Sequence, residues 1–371
     1  MWGNEQLIGT VIDGKYRLDR VIGNGGMGAV FGGTHLQLGR LVAIKVLRTD
    51  VSSDRVAHAR FVREGRASAR IEHPNAVHVY DFGSISGIGS YLVMEFADGV
   101  SLRELLNQRR RLPLDMALDI LRQTASALEA AHANGVVHRD VKPENLMVCF
   151  DAAGNPLVKV VDFGIAKLVS TDGATQLTSP QDLIGTPRYM APELFTGDEV
   201  DGRVDVYALG VVLFEMLAGR PPFDGTFSEV IGKHIYTEAP RLADFGGEYA
   251  PEVEEVVARA LAKSITDRYQ RPIELADAFA EACGPEIASA VPPAVPYILH
   301  TPTSNWQDSN PSDGLTLANP GLPADTPPAV FAATGSAEAL GAPQSPRRPY
   351  SRIDVSFGST KSTLARASGS V

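Results

Sequence analysis

Polar and apolar residues come close to strict alternation over residues 16–22, the period of a half-buried strand. Ala29-Val30-Phe31 and residues 41–46, parted by a turn at Gly39, read as two more strands. Residues 54–71 read as a helix with Ser53 or Asp54 as its N-cap, ended by His73-Pro74-Asn75. Strands are predicted again around 77–82 and 90–96. The period then changes. Ser101 caps a short helix through Asn107, and Leu114, Leu118, Leu121, Ala125, Leu128 and His132 recur at helical spacing up to the stop signal Asn134-Gly135. Strand-like runs at 146–148 and 158–161 precede an apolar helix from Asp205 through Leu217, closed by Gly219-Arg220-Pro221-Pro222-Phe223, and a further helix over 251–262. Residues 1–10 read as a loose arm. From about Cys283 the chain turns rich in Pro, Ala, Ser, Gly and Thr without periodic apolar positions, which predicts a disordered tail over 283–371.

Composition narrows the classes. Of 371 residues 44% are hydrophobic, enough for a sizeable core. The formal net charge is −10 and no long basic block occurs, which argues against a general affinity for nucleic acid or anionic membrane. The run Arg109-Arg110-Arg111 reads as a solvated helix end. The only cysteines, Cys149 and Cys283, form no Cys-x-x-Cys pair, so a disulfide framework and a thiolate zinc site are excluded and a reducing compartment is expected. Neither a signal peptide nor an apolar stretch of about 18 residues is visible. The best candidate, 206–219, is too short and carries Glu215. A soluble cytoplasmic protein without a membrane span is the expectation.

Chemistry concentrates in His138-Arg139-Asp140-Val141-Lys142-Pro143-Glu144-Asn145, where a carboxylate, a cation and an amide share one short loop. A second carboxylate follows in the turn Asp162-Phe163-Gly164. Phosphoryl transfer to a hydroxyl needs these parts: a base that orients the nucleophile and oxygen ligands for magnesium. Upstream, Gly23-Asn24-Gly25-Gly26-Met27-Gly28 lets the backbone lie close over phosphates. A dinucleotide-binding turn would open a helix at its third glycine. Here strand follows, and Lys45 stands on a strand that is otherwise apolar, so its ammonium should emerge at a pocket.

Eight matching loop positions, with Asp162-Phe163-Gly164 at the right distance, resemble the catalytic loop of eukaryotic-type (Hanks-type) serine/threonine protein kinases, and of their bacterial members most closely. Val42-Ala43-Ile44-Lys45, Gly185-Thr186-Pro187-Arg188-Tyr189-Met190-Ala191-Pro192-Glu193 and 267–272 match further family segments in order. The resemblance implies an α+β, bilobal protein kinase fold: an arm at 1–15, then a kinase domain at 16–282 with a small β-rich lobe (16–96) and a larger helical lobe (100–282), then the tail. It implies ATP and Mg²⁺ as cofactors, with Mn²⁺ as a substitute, and protein Ser/Thr hydroxyls as acceptors. Asp140 is the implied base. Asn145 and Asp162 are the implied metal ligands, and Lys142 reaches the γ-phosphate while Thr186 bridges to Asp140. Lys45 holds the α- and β-phosphates and pairs with Glu64. The nucleotide is expected among Ile22, Gly23, Asn24, Gly25, Gly26, Met27, Gly28, Val30, Ala43, Met94 and Met147, its base on the backbone of Glu95 to Ala97. Arg268 is expected to pair with Glu193.

Arg139 beside the catalytic aspartate implies control by phosphorylation. By its distance before Gly185-Thr186, Thr178 is the leading autophosphorylation site, with Ser179, Thr175 and Thr171 behind it. Two alternatives stand beside this reading. A pseudokinase-type nucleotide-binding scaffold is opposed by a complete set of catalytic parts. Small-molecule phosphotransferases share the Asp and Mg²⁺ ligands but usually lack the Ala-Pro-Glu segment. The protein substrate, the input signal and dimerisation are left open.

Overall fold

The computed structural model describes residues 4–25, 28–47, 65, 67–85, 89–152, 154–163, 187–198 and 200–293. All lie in one compact unit, Met1–Thr303. The predicted tail beyond residue 293, most of the predicted 54–71 helix and the segment holding Thr178 fall outside them.

Six antiparallel strands come first: β1 (Val11–Ile12), β2 (Tyr16–Gly25), β3 (Gly28–His35), β4 (Arg40–Leu47), β5 (Val79–Ile85) and β6 (Gly89–Glu95), in the order β1-β2-β3-β4-β6-β5. Their alternation buries Tyr16, Leu18, Phe31, Ile44 and Val93 in one core and Ala43, Leu47, Val79, Leu92 and Met94 in another. The expected loose arm is docked. Asn4–Leu7 forms a 3-10 turn, Gly9 N–H donates to Leu18 O at 2.7 Å, and Ile12 is fully buried. The described end of the first helix stops at Ser68, three residues before the predicted end at Ile71.

A second small sheet, β7 (Val100–Ser101), β8 (Leu146–Phe150) and β9 (Pro156–Val160), leads into the helical part. α1 (Leu102–Arg109) begins with a capping box, in which Ser101 and Glu104 satisfy each other's backbone N–H groups. α2 (Leu114–Ala133), α3 (Glu193–Thr196), α4 (Arg203–Ala218), α5 (Phe227–Tyr236), α6 (Pro251–Ala260), α7 (Pro272–Cys283) and α8 (Pro285–Ala290) complete the lobe. α4 is its axle: every residue from Val204 to Ala218 is buried, which is why its sequence is apolar on all sides. Gly210 permits the crossing with α6, because a Cβ there would stand 2.8 Å from that of Ala260. Among the described residues no helix is long and apolar enough to cross a membrane.

The sequence also placed the tail too early. Past Cys283, α8 and the buried Val291 still pack on the lobe, and Arg122 donates to Val291 O at 2.9 Å. Nor is the arginine run simply solvated. Arg110 adopts φ 65, and Arg111 turns back to the carbonyls of Ala218 and Phe245.

Candidate active site

Asp205, at the start of α4, fixes the loop that carries the chemistry. Its side chain is fully buried and accepts from His138 N–H at 2.8 Å, Arg139 N–H at 2.7 Å and His132 Nε2 at 2.7 Å. Burial opposes the charge, but the His132 bond, the nearby imidazoles and the His138 backbone hold the carboxyl below the ordinary carboxylate range. Anchored this way, Arg139 takes φ 59, a left-handed conformation that costs a side-chain-bearing residue about 1–2 kcal/mol. His138 is oriented from both ring nitrogens. Nε2–H donates to Val161 O at 3.0 Å, so Nδ1 is the acceptor for Asp140 N–H at 3.3 Å.

This loop brings Asp140, Lys142 and Asn145 together. Lys142 Nζ lies 2.8 Å from Asp140 Oδ2. Asn145 Nδ2 donates to Asp140 O at 2.8 Å and to Asp140 Oδ2 at 3.1 Å, which turns the amide oxygen of this buried residue the other way. Asn145 O accepts from Val161 N–H at 3.0 Å, so the loop is stitched directly to the residue before Asp162. Asp162 itself has φ 62, and its carboxylate meets Lys45 Nζ at 2.9 Å. Phe163 packs against the His138 ring, centroids 5.0 Å apart, and its carbonyl accepts from Ser68 Oγ at 3.3 Å.

The first sheet gathers the expected nucleotide residues into one patch. Gly23 pairs with Val30, Val30 with Lys45 and Ala43 with Met94 across β2, β3, β4 and β6. Ala43 and Lys45, two apart, share a face. Ile22 and Asn24 are exposed on β2, Ala43 and Met94 are buried, and Met147 is half-buried on β8. Gly28 must be glycine, since a Cβ would stand 2.1 Å from Val46 O. Within the segment expected to meet the base, Glu95 N–H donates to His78 O at 2.8 Å, which leaves that residue's carbonyl as the group to offer. Glu64, Gly26, Met27 and Thr186 lie outside the described residues, and the described partner of Lys45 is Asp162.

Among the described residues no cluster of three or more His, Cys, Asp or Glu could hold a metal ion. The two expected ligands, the Asp162 carboxylate and the Asn145 amide oxygen, are both hard oxygen donors. Such a set fits a hard divalent ion that completes its coordination with water and substrate phosphate.

Protein kinase domain is the family that matches, over residues 16–275. The chain belongs to the protein kinases, and within them to the bacterial serine/threonine type. A probable serine/threonine-protein kinase PknB of Lactococcus lactis is 41% identical over 264 residues, covering 71% of this chain and 41% of that protein. Serine/threonine-protein kinase PrkC of Bacillus subtilis is 40% identical over 265 residues, covering 71% and 40%. This kinase chain thus spans about two fifths of the length of those relatives. The crystal structure of the Mycobacterium tuberculosis PknI kinase domain aligns with TM-score 0.60 at 32% identity, covering 75% of this chain and 99% of that one. The family uses ATP and a divalent metal ion.

Two arrangements escaped the sequence reading. One is Asp205 with His132; its only signal was an acid opening an apolar helix. The other joins Arg103 on α1 to Glu144 at 2.9 Å, to Glu215 of α4 at 2.7 Å and to the Tyr189 hydroxyl. Burial and the Glu215 carboxylate push the Tyr189 phenol well up, so it stays a donor, to Glu215 Oε2 at 2.6 Å. The expected Arg268–Glu193 pair is present, bidentate at 2.7 and 2.9 Å and wholly buried.

Proposed function

We propose that this kinase transfers the γ-phosphoryl of ATP to Ser and Thr hydroxyls of proteins, itself included. The supporting observation is the junction of two groups: Asp140 with Lys142 and Asn145, and Asp162 with Lys45, joined by the Val161–Asn145 backbone bond. Asp140 orients the acceptor hydroxyl and takes its proton, worth on the order of 10²–10⁴-fold. Lys142, already on the Asp140 carboxylate, is placed to follow charge onto the γ-phosphoryl oxygens in a loose transition state. Lys45 neutralises the non-transferred phosphates. Asn145 Oδ1 and the Asp162 carboxylate would hold the divalent ion, Mg²⁺ with Mn²⁺ as a substitute, which would supply charge neutralisation for the phosphates. The chain's two free thiols, Cys149 and Cys283, suit the cytoplasm.

Thr178 is the leading autophosphorylation site, and Thr186 the residue that bridges to Asp140. The test is intact and peptide mass of the full chain incubated with ATP and Mg²⁺ beside an Asp140→Asn control. Phosphate on Ser and Thr of the wild type alone supports the reading. A wild type that binds ATP without any transfer would favour the scaffold alternative.

A further inference from the structure

Beyond the catalytic loop, one buried polar unit joins α4, α5 and the 3-10 turn Pro187–Tyr189, which follows directly on Thr186. His234 of α5 is fully buried. Its Nε2 lies 3.0 Å from Arg188 O, and a carbonyl only accepts, so Nε2 carries the proton. Nδ1 is therefore the acceptor for the Tyr207 hydroxyl at 2.8 Å. Burial, aided by the Lys263 ammonium, pushes the imidazole down to about 3, so this single neutral tautomer persists across the working range of pH. Phe223 closes the ring edge-on, centroids 4.9 Å apart, and Lys263 Nζ sits 4.7 Å from the Phe223 centroid. α5 is itself fixed at its start by the Thr226–Glu229 capping box.

The turn held by His234 is secured at two other points. Arg188 Nη2 meets Asp224 at 2.9 Å, and the Tyr189 hydroxyl meets Glu215 at 2.6 Å. Of these three ties, the His234 bond alone grips the backbone of the turn, and it is the one made by a rigid ring locked from its far side. The surrounding residues Pro187, Tyr189, Met190 and Ala191 are buried, so the turn has little room to settle elsewhere.

We propose that His234 is a positioning residue for the protein acceptor: through Tyr207 and Arg188 O it sets the height of the turn that follows Thr186, the residue assigned above to bridge to Asp140, which orients the acceptor hydroxyl. Its hydrogen bonds go to Tyr207 and Arg188 O and its ring contacts to Tyr207 and Phe223, all outside the nucleotide patch and the catalytic loop. This role rests on the phosphoryl-transfer reading above, and it separates the acceptor half of the reaction from the ATP half.

The test uses the full chain as enzyme, the full-length Asp140→Asn chain as protein acceptor in trans, and ATP hydrolysis to water as the acceptor-independent reaction. His234→Phe keeps the shape of the ring and deletes both hydrogen bonds. It is expected to lower kcat/KM for the acceptor chain about fivefold to tenfold, the worth of the one bond of the two that holds the turn, Nε2 to Arg188 O, with hydrolysis and the KM for ATP changed less than about twofold. His234→Gln, whose amide nitrogen reaches the Nε2 position, should recover most of the loss. His234→Asn, whose amide ends on the Tyr207 side, should not. If His234→Phe fails to fold, Tyr207→Phe removes only the hydroxyl that locks the tautomer and should show the same split in smaller degree. Parallel loss of hydrolysis and acceptor phosphorylation, an unchanged acceptor reaction, or Gln no better than Asn would each overturn the role. A wild type that transfers to neither water nor protein would overturn the kinase reading and the role together.

Discussion

Replacing Asp205 should separate a packing role from a hydrogen-bonding one. The carboxylate is fully buried, and Oδ2 serves His138 N–H and His132 Nε2 while Oδ1 serves Arg139 N–H. Leucine at 205 has nearly the same shape but strands two buried backbone donors, each costing about 1–3 kcal/mol; His132, partly exposed, can turn to water. The expected loss for Asp205→Leu is about 4 kcal/mol. Asparagine keeps one oxygen. Turned toward the pair of donors it strands only Arg139 N–H, so Asp205→Asn should cost about 2 kcal/mol. Both are large fractions of a total stability of about 5–15 kcal/mol. The same loss frees Arg139 to leave its left-handed conformation, φ 59, and carries the neighbouring Asp140 with it. Misplacement of a catalytic group by about 1 Å costs on the order of 10²-fold, so kcat for Asp205→Asn should fall by about that factor while ATP binding, proposed to fall on the first sheet, shifts only a few-fold. Urea unfolding at constant m-value and turnover at saturating ATP read the two effects. Equal costs for Leu and Asn, or a stable Asp205→Asn enzyme with full turnover, would refute the assignment.

Arg268→Met should cost about 3–5 kcal/mol, because Glu193 is left charged and buried; adding Glu193→Leu should return most of it, and urea midpoints of single and double variants check this. His234 gives an acid limb to stability. The unfolded chain protonates near 6.5 but the folded one only near 3, so the unfolded state binds more protons in between and stability falls as pH drops below 6.5. That amounts to about 2 kcal/mol by pH 5; it should be missing from the pH–stability curve of His234→Phe and therefore appear in the difference between wild type and variant. Lys45→Met and Asp162→Ala should each lower phosphoryl transfer at least on the order of 10²-fold with the far-ultraviolet dichroism unchanged, and appreciable turnover in either would overturn the assigned roles.

Local order in the chain was enough to reveal the loop 138–145, the glycine run, Lys45 and Asp162, because backbone freedom, charge and hydroxyl activation are requirements of residue type at short spacing. It likewise marked Leu114–Ala133 and most strands, where burial on one face leaves a period. What it misjudged was decided by contacts distant in sequence. The arm before Tyr16 is short and without period, yet Ile12 finds a core on β2. α8 carries no pattern that announces packing, yet Arg122, more than 160 residues earlier in sequence, reaches its carbonyls. Asp205, Glu215, His132 and His234 look like ordinary residues of helices until the fold supplies their partners. Composition and motif residues thus determined the kinase family to which this chain belongs. Only the tertiary structure decided which buried groups hold those residues in place, because a carboxylate in a protein interior is defined by the donors around it, and those come from elements 26 to 112 residues apart.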